Sequence, residues 1–137
     1  MKTRIFILED HPSMRENIAR FVSGLPDVEV CGSAATAEDA LLQLADAGAD
    51  LVLVDVSLPA MSGLDFLREA RGRWPQIRYL VLSGHDEASY VWRAFSLGAQ
   101  GYVAKGNAEQ LRVAIGCVLR GETFPQSRAK IKPPAQG

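Results

Sequence analysis

Leu51-Val52-Leu53-Val54-Asp55 is the stretch that decides how this chain reads: four apolar residues in a row stop at a carboxylate. A run that is apolar at every position, not at alternate ones, fits a strand buried on both faces of a parallel sheet. Three other runs have the same form. Ile5-Phe6-Ile7-Leu8 stops at Glu9-Asp10, Tyr79-Leu80-Val81-Leu82 at Ser83, and Gly101-Tyr102-Val103-Ala104 at Lys105. In an open parallel α/β sheet, ligands bind just outside the carboxyl ends of the strands. If these strands lie side by side, three carboxylates, a hydroxyl and an ammonium converge on one crevice. Clustered carboxylates repel one another unless a cation joins them. Hard oxygen donors select Mg²⁺, which binds through carboxylates, waters and a substrate phosphate.

Working outward, strand-like and helix-like segments alternate along the chain. Strands are expected at Arg4–Leu8, Val28–Ser33, Leu51–Val54, Ile77–Leu82 and Gly101–Ala104. Helices are expected at Pro12–Ser23, Ala37–Ala47, Ser62–Gly72, Glu87–Leu97 and Ala108–Leu119. Pro12 suits a first helical position, and Gly24 and Gly48 suit stops. Thr36 with Asp39 resembles a capping box in which Asp replaces the usual Glu or Gln, and Asn107 with Gln110 repeats the pattern. Leu64, Leu67 and Ala70 mark one helix face, and Leu111, Ala114, Ile115 and Val118 another. Repeated βα units imply a doubly wound parallel sheet with helices on both faces. Pro59 and Gly63 read as a rigid turn and a helix entry. Tyr90, Val91, Trp92 and Phe95 make the fourth helix unusually aromatic, with Val91 and Phe95 expected in the core.

The strand-end residues have the chemistry for phosphoryl transfer. Aspartate can take a phosphoryl group as an acyl phosphate, and Asp55 is the expected acceptor. Such transfer needs mainly positioning and charge neutralisation. Asp10 and Asp55 are expected to hold Mg²⁺ directly and Glu9 through water, with the Ser57 backbone carbonyl completing the protein ligands. Lys105 would neutralise the phosphoryl oxygens, and Ser83 would donate a hydrogen bond to them. His85 stands where this site meets solvent and reads as a solvated loop side chain.

Composition limits the alternatives. The chain has 137 residues and a net charge of −1, so no global field favours nucleic acid or an anionic membrane. No apolar stretch approaches the ~20 residues that span a bilayer. Met1-Lys2-Thr3-Arg4 runs straight into a strand without the apolar core of a signal peptide. Cys31 and Cys117 match no metal or redox motif and read as reduced thiols, which fits a cytoplasmic setting. A flavodoxin-type flavin protein needs a hydroxyl- and glycine-rich loop after the first strand, where this chain has Glu9-Asp10-His11-Pro12. No Gly-x-Gly-x-x-Gly follows a strand, which argues against a dinucleotide site. A hydrolase of the haloacid dehalogenase type would carry Asp-x-Asp after the first strand, and none is there.

The blocks FILEDHP, LVLVDVSLPAMSGLDFL, VLSGHD and GAQGYVAKG stand here in an order and spacing that resemble the receiver domains of two-component response regulators. The resemblance covers residues 1–122. It implies a flavodoxin-like (βα)5 fold, its five-stranded sheet in the order 2-1-3-4-5. It also implies Mg²⁺-dependent phosphorylation of Asp55 by the phosphohistidine of a sensor histidine kinase or phosphotransfer protein. EDHP, GYVAKGNAEQL and VLRGETF look most like the LuxR/NarL/FixJ type, whose receivers precede a helix-turn-helix DNA-binding domain. Carried over by position, Glu9 and Asp10 are the acidic pair, with Glu in place of the first Asp. Ser83 is then the switch hydroxyl, Tyr102 the switch aromatic and Lys105 the phosphate-sensing lysine. Gly106 stands where many relatives have proline. The implied switch has Ser83 swing toward the phosphoryl group and Tyr102 turn inward, with self-association or release of a tethered domain as output. Such a protein is a signalling switch, not a turnover enzyme. Residues 123–137, with Pro125, Pro133, Pro134, Arg128, Lys130 and Lys132 and no acid, read as a flexible tail or interdomain linker. Contact with DNA is expected only through a C-terminal domain that this sequence does not contain. A stand-alone regulator and a phosphorylation-independent interaction module are the alternatives.

Overall fold

Strands and helices alternate throughout: β1 (Thr3–Leu8), α1 (Pro12–Ser23), β2 (Val28–Ala34), α2 (Ala37–Ala47), β3 (Leu51–Asp55), α3 (Gly63–Arg73), β4 (Arg78–Ser83), α4 (Ala88–Ser96), β5 (Gly101–Ala104) and α5 (Ala108–Leu119). This is a computed structural model, and it describes residues 2–58, 60–84 and 88–125. All neighbouring strands pair in parallel, in the order β2-β1-β3-β4-β5. The expected flavodoxin-like architecture is therefore the observed one. Pro59, His85 and the start expected for the fourth helix at Glu87 lie outside the described residues, as does the tail from residue 126 onward.

The unbroken apolar runs sort by parity, as a pleated strand requires. Phe6, Leu8, Val52, Val54, Tyr79 and Val81 pack under α2, α3 and α4. Ile5, Ile7, Leu51, Leu53, Leu80 and Leu82 pack under α1 and α5. The sheet thus separates two apolar layers, and each central strand fills both. Tyr79 is the largest wholly buried side chain among the described residues. Its hydroxyl donates to the carbonyls of Ala70 at 3.2 Å and Trp74 at 3.1 Å, so the end of α3 satisfies it.

Local signals hold the helices in place. Ser62 precedes α3 as its cap instead of opening it: Ser62 Oγ accepts from the Asp65 amide at 3.1 Å. Thr36 Oγ1 accepts from the Asp39 amide at 3.1 Å, but the Asp39 carboxylate accepts from Gln43 Nε2 at 2.9 Å. The capping pattern is realised in its forward half. Asn107 Oδ1 accepts from the Gln110 amide at 2.9 Å. Each such cap contributes about 1 kcal/mol. Leu64, Leu67 and Ala70 face the core as expected, with Phe66 beside them. Phe95 is buried and Val91 packs against the same layer, while Trp92 is an exposed apolar side chain.

Two boundaries move by a residue in ways that matter for the site. β3 includes Asp55 and β4 includes Ser83. Both reactive residues are thus the last members of paired strands, held by the ladder, and not the first members of loops. A third difference lies after α5. The boundary read after Glu122 falls short of the sheet contacts. The Phe124 amide donates to Gln100 at 3.0 Å and its carbonyl accepts from the Tyr102 amide at 2.9 Å, a parallel bridge onto Gly101. Phe124 also packs against the α1–α5 layer. It covers part of the β5 edge, which blunts an otherwise open row of backbone donors and acceptors.

Candidate functional site

The sheet order puts β3 between β1 and β4, so Glu9-Asp10, Asp55 and Ser83 follow from three adjacent strands. Lys105 follows β5, and its amide donates to the Ser83 carbonyl at 2.8 Å. That bond extends the β4–β5 ladder by one step and aims the lysine across the end of β4. Lys105 Nζ reaches Asp55 Oδ1 at 3.0 Å and Glu9 Oε1 at 3.0 Å. Glu9, Asp55 and Ser83 are completely buried, whereas Asp10 lies nearer the surface.

Asp55 is fixed through one oxygen. Its Oδ1 accepts from the Ser57 amide at 3.0 Å and faces Lys105. Its Oδ2 is buried and lacks a hydrogen-bond partner among the described residues, as does Asp10 Oδ1, while Glu9 Oε1 has only its ion pair with Lys105. Behind the acceptor, the Gly63 amide donates to the Val56 carbonyl at 3.2 Å, closing the loop that follows β3. A Cβ at Gly63 would sit 2.2 Å from the Asp55 carbonyl oxygen. Glycine is required there because α3 starts against the backbone of Asp55 itself.

The electrostatics follow from burial and crowding. Burial pushes Asp55 up to about 6, and the neighbouring carboxylates of Asp10 and Glu9 act in the same direction against the Ser57 amide and Lys105. Burial also acts to raise Asp10, but its contacts with Asp55 and Glu9 and the nearby His11 outweigh that and hold it below the ordinary carboxylate range. Burial acts to lower Lys105, yet Glu9 and Asp55 raise it overall, so it stays an ammonium. Orphaned buried oxygens and a carboxylate pushed toward protonation are the marks of a site short of positive charge. The donors are all oxygen apart from one imidazole, and carboxylate atoms of Glu9, Asp10 and Asp55 lie within 4.8 Å of one another. The residues therefore fit Mg²⁺.

The sequence-predicted residues Glu9, Asp10, Asp55, Ser83 and Lys105 thus meet at one end of the sheet. Ser57 adjoins them through its amide, which binds Asp55. Tyr102 lies one strand over and is 7% exposed, within the layer that includes Ala94 and Phe95. Its side chain already lies inside the sheet–helix layer in this arrangement. Gly106 adopts φ +86°, a conformation that glycine takes without strain. Two residues escaped the sequence reading. His11 Nδ1 lies 3.2 Å from Asp10 Oδ1 and 3.4 Å from Glu9 Oε2. Arg15 donates from Nη1 to the Glu9 carbonyl at 2.9 Å. The signal for Arg15 was its place one helical turn after His11.

Residues 5–116 match the family model of the response regulator receiver domain. The chain belongs to that family. Among its relatives are the transcriptional regulatory protein DegU of Brevibacillus brevis, 32% identical over 90% of this chain, and the transcriptional activator protein ExaE of Pseudomonas putida, 36% identical over 88%. The aligned part makes up 52% and 56% of those two proteins, so the chain spans about half the length of the relatives it matches. Among solved structures, a LuxR-family two-component response regulator from an Aurantimonas species superposes with a TM-score of 0.86 at 31% identity, covering 90% of this chain and 89% of that one. The signal receiver domain of NarL from Mycobacterium tuberculosis gives 0.81 at 29% identity, covering 88% and 98%. No helix among the described residues is long and apolar enough to cross a membrane.

Proposed function

We propose that Asp55 accepts a phosphoryl group from the phosphohistidine of a sensor histidine kinase or phosphotransfer protein, and that the acyl phosphate switches an output. One observation carries this reading: Asp55 is held through Oδ1 by Ser57 and Lys105, while Oδ2 is buried with no partner. That oxygen is positioned to attack phosphorus. A P–O bond forms as the bond to the donor breaks, and the donor leaves with the electron pair. Lys105 moves from carboxylate partner to phosphoryl partner, and Ser83 donates to a phosphoryl oxygen. Asp10 and Asp55 would hold Mg²⁺, with Glu9 and the Ser57 carbonyl as further candidate ligands. When bound, the metal neutralises charge on the transferring group.

The domain is a switch and not a turnover enzyme, and acts in the cytoplasm. Its relatives named as transcriptional regulators, about twice its matched length, support an output in transcription through a DNA-binding domain. On this reading the segment from residue 123 leads to the output domain as tail or linker, and phosphorylation favours a homodimer. The test is intact-mass labelling with acetyl phosphate and Mg²⁺. Wild type should gain one phosphoryl group, and Asp55→Asn none. Stoichiometric labelling of Asp55→Asn would overturn the assignment.

A further inference from the structure

We propose that His11 is a nitrogen ligand of the acidic pocket, and that it turns the pocket toward first-row transition ions such as Mn²⁺, Co²⁺ and Zn²⁺. The inference rests on the metal site described above and assigns it a selectivity. Ligand atoms of Glu9, Asp10, His11 and Asp55 all lie within 4.8 Å of one another. With metal–ligand bonds of ~2.1 Å, donors on adjacent vertices of an octahedron stand about 3 Å apart. His11 Nδ1 stands 3.2 Å from Asp10 Oδ1, the carboxylate assigned to bind directly. The imidazole already occupies the spacing of a neighbouring ligand.

The backbone sets this placement. His11 is the N-cap residue of α1, with φ −82° and ψ 117°, and its side chain makes no cap bond to the helix. Its amide donates to Glu9 Oε2 at 3.1 Å, which draws the residue back over the carboxylates. Pro12 follows at the first helical position and restricts His11 to extended backbone. The ring makes no hydrogen bond to Asp10 Oδ1, which stays without a partner, as does Oδ2 of the wholly buried Asp55. Ring and carboxylates thus face a common point without satisfying one another. The side chain is 70% exposed, so Nε2 can reach solvent while Nδ1 faces the carboxylates.

Mg²⁺ gains little from imidazole. Later first-row divalent ions prefer it, and their affinities rise along the series to Cu²⁺. An all-oxygen pocket would show that trend weakly, and a pocket with one nitrogen should show it strongly. The discriminating quantity is therefore the effect of losing the ring on each metal.

The experiment is calorimetric titration of wild type and His11→Ala with Mg²⁺ and Co²⁺, together with pulsed EPR of the Mn²⁺-loaded proteins. His11→Ala should weaken Co²⁺ binding by about tenfold or more and leave Mg²⁺ within about twofold. Wild type should show nitrogen hyperfine coupling to Mn²⁺ that His11→Ala lacks. His85→Ala should keep the coupling, since His85 is the other of the 2 histidines in the chain. Equal losses for both metals, or no nitrogen coupling in wild type, would overturn the proposal. Acetyl phosphate labelling of Mg²⁺-loaded His11→Ala separates the two readings. Labelling without nitrogen coupling sinks the ligand role alone, and nitrogen coupling without labelling of any form sinks the phosphoacceptor.

Discussion

Lys105 Nζ stands 3.0 Å from Asp55 Oδ1 although the strands that carry them, β3 and β5, are not neighbours. The lysine reaches over the end of β4, where its own amide is tied to Ser83. It therefore occupies the charge position that a dication would share. Lys105→Met should raise Mg²⁺ affinity severalfold, because a competing cation is gone, and slow phosphoryl transfer by about a hundredfold, because the phosphoryl oxygens lose their partner. Titration calorimetry and labelling rates check the pair of effects. A fall in both quantities together would mean that the lysine serves structure alone.

Asp55 should destabilise the metal-free fold at neutral pH. Its folded value of about 6 lies above its ordinary value of 3.8. Between those values the folded state binds more protons than the unfolded state, so stability falls as pH rises through that window and the cost is complete above about 6. Asp55→Asn keeps the shape and removes the charge. It should gain up to about 3 kcal/mol at pH 7.5 in EDTA, and the gain should vanish toward pH 4. Urea unfolding at the two pH values measures it, and a variant less stable than wild type at pH 7.5 contradicts it.

Asp10 and Glu9 should differ as metal ligands. Glu9 is enclosed by Lys105 on one oxygen and the His11 amide on the other. Asp10 lies nearer the surface with an oxygen free of hydrogen bonds. Asp10→Ala should weaken Mg²⁺ binding by about tenfold or more, and Glu9→Gln by only a few-fold. Matching losses in a fluorescence or calorimetric titration would contradict the split between direct and water-mediated ligation.

Gly63→Ala should be among the most damaging single-methyl changes in the chain. Its Cβ would meet the Asp55 carbonyl oxygen at 2.2 Å and Val56 Cα at 2.6 Å, both backbone atoms that cannot swing aside. A loss of about 3 kcal/mol or more is expected. In protein that still folds, Asp55 labelling should slow, because α3 can make room only by shifting the acceptor strand. Thermal unfolding within a degree or two of wild type would show that α3 yields freely.

The switch can be read without a partner. Beryllofluoride with Mg²⁺ mimics the phosphoryl group, and amide shifts report where the fold responds. Shifts are expected in β4 and β5 and also at Phe124, whose carbonyl takes the Tyr102 amide. Ser83→Ala should keep mimic binding and lose the distal shifts. A mimic that occupies Asp55 yet moves none of these amides leaves the Ser83–Tyr102 coupling without support.

The central strands were legible because burial on both sides leaves no polar residue until the ladder ends, so Asp55 and Ser83 announced themselves as the first polar positions. The same logic misplaced them by one residue, since a paired strand can end on a polar side chain when a site receives it. His11 was overlooked for a different reason. No motif marks His11 beside Glu9-Asp10, and only the backbone geometry before Pro12 reveals that its ring faces the carboxylates. Phe124 had no periodicity to betray it: a lone aromatic between Thr123 and Pro125 looks like linker until its pairing with β5 is seen. For Tyr102, whether a strand aromatic lies in or out is a matter of packing that spacing does not encode.

The bridge between Phe124 and Gly101 fixes where the chain leaves the domain. Gly101 opens β5, and Lys105 follows its last residue. The exit is therefore moored at the pole of the sheet opposite the carboxylates, four strand steps or about 13 Å away. The last described residues are thereby joined to the strand whose far end carries the lysine, so on the proposed reading β5 is the shortest bonded path from the acceptor to the chain's exit.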